Sequence, residues 1–272
     1  MSTTFRTVNK AANASSYNAF TMRADALAYQ ESGGRPWGLA ATLGLSLAIW
    51  YALELLQAAM GFGMDRVLAA LRLVSPAQNT QALNFAVITC ISTVLCGALV
   101  IAAAALRDRL DPRAYLGIVR APAKEWLRWL GAMALIVAMT DLVIYLVKGE
   151  LLPAQWVEIY RSVQSPLLFW IALVVATPIF EELLFRGFVF AGILASPLGR
   201  VGAVLITALA WTWIHYEFDP LEFAIIFIVG VTLGIARLRT GSLLVTMAMH
   251  MLYNLISTGE IIWLAAIADA QS

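Results

Sequence analysis

Seven stretches of this sequence are each mostly apolar over roughly 20 residues, and their length constrains the fold more than any other feature. The hydrocarbon core of a bilayer is about 30 Å thick, which an α-helix crosses in about 20 residues. A helix also satisfies its own backbone polar groups, as lipid requires. The stretches cover residues 37–61, 82–106, 126–147, 166–194, 199–215, 221–237 and 242–267. The sequence therefore predicts an all-α membrane bundle of about seven transmembrane helices, within a range of six to eight.

The composition agrees with the lipid bilayer as the main solvent. Hydrophobic residues make up 61% and charged residues 13% of the chain, against about 45–50% and about 25% in a soluble domain. A net charge of +1 provides no basic field for nucleic acid, which is excluded as a partner. We expect a polar N-terminal tail over 1–36, without a signal-peptide core. A single transmembrane domain over 37–270 follows, because no gap between the apolar stretches is long enough to fold alone.

The distribution of basic residues predicts the orientation, since cytoplasmic loops carry the excess of Lys and Arg. With seven spans, 13 of the 18 Lys and Arg residues fall on the side of the N-terminus and four on the other side, while Arg186 lies within a span. We therefore expect the N-terminus in the cytoplasm. The protein is expected in a cell membrane, which is the plasma or inner membrane if the protein is bacterial.

Several ionisable side chains lie inside or at the end of the apolar stretches. Each costs at least about 2.5–3.5 kcal/mol at the centre of a transmembrane helix, so each is a functional candidate. These residues are Glu54, Asp141, Glu181, Glu182, Arg186, His215, His250 and Glu260.

The fourth stretch holds the densest group of charges. Glu182 and Arg186 are four residues apart, which places them on one helix face in the order that favours an ion pair. Glu181 lies about 100° away around the helix. If Arg186 neutralises Glu182, Glu181 is the carboxylate left without a local counterion. Glu181 is therefore the candidate general base.

The only two histidines of the chain lie in or at the end of apolar stretches. His215 stands where the fifth stretch meets its exit turn, and His250 shares a helix face with Asn254. A carboxylate with two imidazoles either activates a water directly or binds a catalytic zinc through Glu181, His215 and His250 with an open position. The chain has no His-Glu-x-x-His motif of the soluble zinc proteases.

Three motifs within residues 166–257 resemble those of the CPBP family, which joins type II CAAX prenyl endopeptidases with bacteriocin-processing and bacteriocin-immunity proteins. They read Glu-Glu-Leu-Leu-Phe-Arg at 181–186, Trp-x-x-x-His at 211–215 and His-x-x-x-Asn at 250–254. The family patterns are Glu-Glu-x-x-x-Arg, Phe-x-x-x-His and His-x-x-x-Asn. Trp211 departs from them, because it stands where the family has Phe.

The resemblance implies an all-helical membrane fold with a polar cavity and an intramembrane endopeptidase that requires no cofactor, with zinc as the second option. Glu181 would be the general base and His215 would share or relay its proton. His250 and Asn254 would bind the tetrahedral oxyanion. The Glu-Arg pair of the first motif would position the base. The substrate would be a membrane-associated or lipidated protein or peptide, such as a prenylated C-terminal peptide or a leader peptide.

Two other functions fit the same residues. A non-catalytic scaffold or immunity protein would use them as a buried polar network that joins helices. A proton-coupled transporter would use them as a relay, although the sequence has no internal repeat of the kind that many transporters show. Asp141 and Glu54 distinguish these alternatives, since a relay needs them in line with Glu181, whereas a peptidase leaves them peripheral or paired.

The predicted depths in the membrane conflict at one point. Counting at 1.5 Å per residue places Glu181 and His250 nearer the inner side, and His215 near the outer end of its span. A single site therefore requires the fourth or fifth helix to begin elsewhere, to tilt or to be re-entrant, or the orientation to be reversed.

Overall fold

The computed structural model describes residues 36–72, 81–107, 110–152, 154–163 and 165–270. The predicted tail over 1–36 lies almost wholly outside them. The described helices are α1 (Leu39–Gly61), α2 (Met64–Ala70), α3 (Gln81–Ala105), α4 (Pro112–Leu116), α5 (Ala123–Lys148), α6 (Ala154–Arg161), α7 (Pro166–Leu194), α8 (Gly199–Trp213), α9 (Pro220–Thr240) and α10 (Leu243–Ala270). These ranges contain no strand, so the predicted all-α fold is confirmed.

Five helices are long and apolar enough to cross a membrane, namely α1, α3, α5, α7 and α9. Their length and composition make the chain an integral membrane protein. The count of about seven spans is not confirmed, because two of the seven predicted stretches are not among these five helices. Helix α8 has 15 residues and is therefore only about 22 Å long. Helix α10 has 28 residues and carries polar side chains such as His250, Asn254 and Glu260.

Local sequence signals fix the ends of α9. Asp219 precedes the helix and accepts hydrogen bonds from the backbone N–H groups of Leu221 and Glu222 at 2.9 and 3.1 Å, while Pro220 occupies the first helical position. At the other end Gly241 adopts a φ of +68°, a left-handed conformation that glycine tolerates. This turn at Gly241 allows helix α10 to begin at Leu243, just two residues further along the chain.

Helix α7 lies at the centre of the bundle and packs against α1, α3, α8, α9 and α10. All residues from 180 to 190 are buried, so this part of α7 contacts protein on every side. Helices α8 and α9 approach each other closely at Gly230 and Gly234. A Cβ atom added to Gly230 would lie 3.1 Å from the Trp211 ring, and one added to Gly234 would lie 3.2 Å from Val204. Small residues allow such close packing in membranes.

Arg237 of α9 connects three parts of the bundle through backbone carbonyl groups. Its guanidinium donates to the carbonyl oxygen of Arg186 at 3.0 Å, that of Gly241 at 2.5 Å and that of Leu116 at 3.3 Å. Because the guanidinium is buried and planar, it holds α4, α7 and α9 at fixed separations. Arg237 is not among the ionisable candidates named from the sequence.

Candidate active site

Helix α7 is irregular where it carries the two glutamates. It widens into π-helical turns at Ile171–Ala176 and Leu183–Val189, on either side of the α-helical turn Thr177–Glu182. Pro178 has no amide hydrogen to give to the carbonyl of Val174, so an uninterrupted α-helical pattern cannot form there. Turns of this kind are frequent at functional sites. Hydropathy alone does not predict these turns, and Pro178 within an apolar stretch is the signal that could have indicated an irregularity.

The widened turns present backbone carbonyl groups to side chains of other helices. The amide nitrogen of Asn254 on α10 donates to the carbonyl oxygen of Leu173 at 2.8 Å, within the first π-helical segment. The carbonyl oxygen of Arg186, in the second segment, accepts the hydrogen bond from Arg237. Asn254 therefore lies beside α7, with one of its two amide hydrogens engaged.

Glu182 is buried and paired, as its spacing from Arg186 predicts. Its Oε1 atom accepts a hydrogen bond from the Arg186 guanidinium at 2.8 Å and lies 3.2 Å from Nδ1 of His250. The side chains of Glu182 and Arg186 have no exposed surface. Because both charges are buried, removing one partner would leave the other without a counter-charge.

Glu181 is held differently, although it is the adjacent residue. Its Oε2 atom accepts a hydrogen bond from the indole Nε1 of Trp211 at 2.5 Å and lies 3.8 Å from Nε2 of His250. Its side chain keeps an exposed fraction of 8%, where that of Glu182 is zero. Of the two carboxylates, therefore, only that of Glu181 offers surface to a water molecule.

His250 lies between the two glutamates. Because a carboxylate only accepts hydrogen bonds, the short contact to Glu182 assigns a proton to Nδ1 of His250. Nε2 then faces Glu181. The edge of the same imidazole meets the Trp211 ring, with the ring centroids 5.1 Å apart. One histidine thus connects the first motif with the third.

His215 lies in the turn after α8, as expected, and reaches the site through Trp211. Its Nδ1 atom is 2.9 Å from the carbonyl oxygen of Trp211, and the two ring centroids are 5.0 Å apart. A carbonyl only accepts, so Nδ1 carries a proton and Nε2 of the neutral ring remains an acceptor. Within the described ranges His215 makes no hydrogen bond to Glu181, so any shared proton must pass through a water or the substrate.

His215 lies two residues after the end of α8 at Trp213, beside the rings of Trp211 and Phe218. Helix α8 is about 22 Å long, shorter than a hydrocarbon core about 30 Å thick. The contacts of Trp211 with both imidazoles place His215 and His250 against the same indole ring, although the depths counted along the sequence differ.

The other intramembrane carboxylates lie away from these contacts. The carboxyl groups of Asp141 on α5 and Glu260 on α10 lie within hydrogen-bonding reach of each other, and the bond forms when one of them carries a proton. Glu54 is exposed on α1. No described contact links either group to Glu181. Asp141 is therefore paired and Glu54 is peripheral, as expected for a peptidase. A proton relay would need both residues in line with Glu181.

The zinc ligand set of Glu181, His215 and His250 does not fit this geometry. Across the ranges that the structure describes, no three His, Cys, Asp or Glu side chains are placed to hold a metal ion. Nε2 of His250 lies near Glu181, whereas the described contacts of the His215 ring are with Trp211 and Phe218.

Fold and site together define a class of protein, a polytopic helical membrane protein that holds a carboxylate, two imidazoles and an amide near one another in its interior. Residues 163–256 match the family described as type II CAAX prenyl endopeptidase Rce1-like. The match covers all three motifs and confirms the resemblance to the CPBP family. It indicates a protease that acts on a protein or peptide in a membrane. No curated protein and no solved structure matches the chain.

Proposed function

We propose that this protein is an intramembrane endopeptidase in which Glu181 activates the water that hydrolyses a peptide bond. The observation that carries the proposal is the difference between two adjacent glutamates. Glu182 is sealed and paired with Arg186, whereas Glu181 keeps exposed surface beside an indole N–H and an imidazole. One carboxylate stabilises the site and the other is available for chemistry.

The reaction follows from the positions of the donors and acceptors. Glu181 removes a proton from water while the water oxygen bonds to the carbonyl carbon of the substrate. Nε2 of His215 is the free acceptor that can orient the second O–H of that water. The C–N bond then breaks, and Glu181 returns the proton to the leaving nitrogen. The products are a carboxylic acid and an amine, so atoms and charge balance.

The negative charge on the substrate oxygen needs donors. With Nδ1 of His250 donating to Glu182, its Nε2 donates when the ring is protonated, and Asn254 has a second amide hydrogen beyond the one given to Leu173. One well-placed donor contributes about 3–4 kcal/mol to stabilising such an oxyanion. No cofactor enters this scheme.

The substrate is proposed to be a membrane-associated or lipidated protein or peptide, either with a prenylated C-terminus or with a leader segment. The site lies on α7, which is one of the five helices long and apolar enough to cross a membrane, so a substrate that partitions into the bilayer reaches it most readily. We further propose that the protein is in the plasma or inner membrane with its N-terminus in the cytoplasm, on the basis of the basic residues counted along the sequence.

The test compares purified wild type with Glu181→Gln on a library of farnesylated C-terminal peptides and leader peptides. We expect Glu181→Gln to lower kcat by about 10²–10⁴-fold, the usual contribution of a general base. Glu54→Gln is the matched control and should cleave like wild type, because Glu54 is exposed on α1. Activity that persists in Glu181→Gln contradicts the mechanism. Activity that a chelator abolishes and zinc restores would replace it with a metal mechanism.

A further inference from the structure

Among the residues that the structure describes, the side chain of Trp211 contacts residues of all three motifs. Its indole N–H donates to Oε2 of Glu181 at 2.5 Å. Its ring meets the imidazoles of His215 and His250 edge to face, at centroid distances of 5.0 and 5.1 Å. The guanidinium of Arg186 lies 4.6 Å from the ring centroid. An aromatic ring without a donor would keep the packing and lose the bond to Glu181.

The surroundings of Trp211 leave its ring little freedom. The residue is 2% exposed. Gly230 on α9 comes so close that a Cβ there would lie 3.1 Å from the indole. A ring held by two imidazoles, a guanidinium and a neighbouring backbone keeps one orientation, and its N–H is then a fixed donor. A hydrogen bond from a fixed donor to a carboxylate restricts that carboxylate in turn.

The two oxygens of Glu181 have different environments. Oε2 accepts from Trp211 and faces His250. Among the described residues Oε1 has no hydrogen-bond partner, yet it is not one of the sealed polar atoms without a partner, whereas Oε2 of Glu182 is. The bond from Trp211 therefore leaves Oε1 as the oxygen of Glu181 that is open to a water.

We propose that Trp211 is a positioning residue for Glu181, whose indole N–H holds one carboxylate oxygen so that the other is presented to the water to be activated. This inference rests on the proposed function of Glu181. It assigns the Trp at position 211 a task that the Phe of the family pattern could not perform in the same way, because Phe has no donor.

The sharpest test replaces Trp211 by β-(3-benzothienyl)alanine, in which sulfur takes the place of the indole N–H and the shape of the ring is kept. We expect kcat to fall about tenfold or more, as for the loss of a hydrogen bond to a charged group, with KM unchanged because the substrate does not bind the indole nitrogen. Trp211→Phe should show the same split. Unchanged kcat in the isostere overturns the inference.

Trp129 provides a matched control on α5. It is a buried tryptophan whose indole nitrogen has no hydrogen-bond partner among the described residues. The same isostere at position 129 should leave both kcat and KM as in wild type. A tenfold loss at both positions would assign the effect to the analogue itself and would also overturn the inference.

A second readout needs no substrate. In protein labelled with ¹⁵N-tryptophan in detergent, the indole N–H signal that disappears in Trp211→Phe belongs to Trp211. Glu181→Gln should shift this signal because the bond to a charged acceptor is lost, and it should leave the Trp129 signal in place. An unmoved Trp211 signal contradicts the bond. If the signal moves but neither wild type nor any variant cleaves a peptide, the positioning contact stands and the proposed function fails.

Discussion

Helices α5 and α7 have similar lengths, 26 and 29 residues, but opposite surroundings. Only 11% of the most apolar segment of α5 is buried, against 50% of that of α7. The exposed side chains of α5 include Leu135, Met139, Leu142 and Leu146, an apolar surface that suits contact with lipid. Helix α7 is enclosed at 180–190 and still contains three charged residues. Charged side chains are therefore tolerated where neighbouring helices supply their partners. On α5 the interior carboxyl group of Asp141 lies beside Glu260 of α10.

The largest loss of stability is expected from a change in the enclosed part of α7. Arg186→Met leaves the carboxylate of Glu182 buried without its guanidinium, and removing one partner of a buried pair costs about 3–5 kcal/mol. Thermal unfolding in detergent should shift strongly downward. The double variant Glu182→Met with Arg186→Met should recover most of the stability and none of the activity. A single variant as stable as wild type would show that this region does not depend on the pair.

A matched change on the lipid-facing helix should do almost nothing. Leu135→Met alters a side chain that is 62% exposed on α5 and keeps its volume and apolar character. We expect unfolding temperature and kcat to equal those of wild type. A loss comparable to that of Arg186→Met would erase the distinction between the two helices.

The paired carboxyl of α5 should have an intermediate effect. Asp141→Ala removes the carboxyl group that lies within hydrogen-bonding reach of Glu260, and a hydrogen bond between membrane helices contributes about 0.6 kcal/mol on average. Asp141→Asn keeps a donor and acceptor and should be close to wild type in stability. Both variants should keep full kcat. If both variants abolish the activity, Asp141 takes part in a proton relay, and α5 is not functionally separate from the site on α7.

A smaller loss of stability, which depends on pH, is expected at the end of α5, outside the spans. Lys148 pairs with Asp219 and also donates to Glu222 at 2.8 Å. The hydrogen bond from Lys148 holds the pKa of Asp219 below its ordinary value. The ionised carboxylate of Asp219 therefore contributes its full stabilisation above the ordinary pKa of an Asp side chain, about 3.9. This contribution disappears as the pH falls through the lower pKa of Asp219 in the folded protein. Asp219→Asn should be slightly less stable than wild type at pH 7, and unfolding curves should show equal stability near pH 2. A difference that persists at pH 2 would rule out the ion pair.

Much of the fold follows from the sequence because hydropathy is a local property. The stretches at 37–61, 82–106, 126–147, 166–194 and 221–237 became the helices long and apolar enough to span, with ends close to those expected. The stretch at 199–215 reads as a span only because its last residues are apolar or aromatic. Helix α8 ends at Trp213, and this stop depends on the turn that follows rather than on hydropathy.

The candidate site divides in the same way. Helical spacing placed Glu182 beside Arg186 and His250 near Asn254, since neighbours on one helix are fixed by its period. The hydrogen bond from Trp211 to Glu181 depends on how closely α8 approaches α7 and α9, which Gly230 permits but no local pattern encodes. The π-helical turns likewise depend on donors from other helices, namely Asn254 and Arg237.

The most direct measurement of the central claim is the pair Glu181→Gln and Glu182→Gln, each assayed for peptide cleavage and for unfolding temperature on the same preparation. The account predicts that Glu181→Gln loses cleavage and keeps the unfolding temperature of wild type, whereas Glu182→Gln lowers the unfolding temperature because it leaves Arg186 buried without a counter-charge. The reverse assignment, with cleavage intact in Glu181→Gln, would contradict the division of roles between the two glutamates.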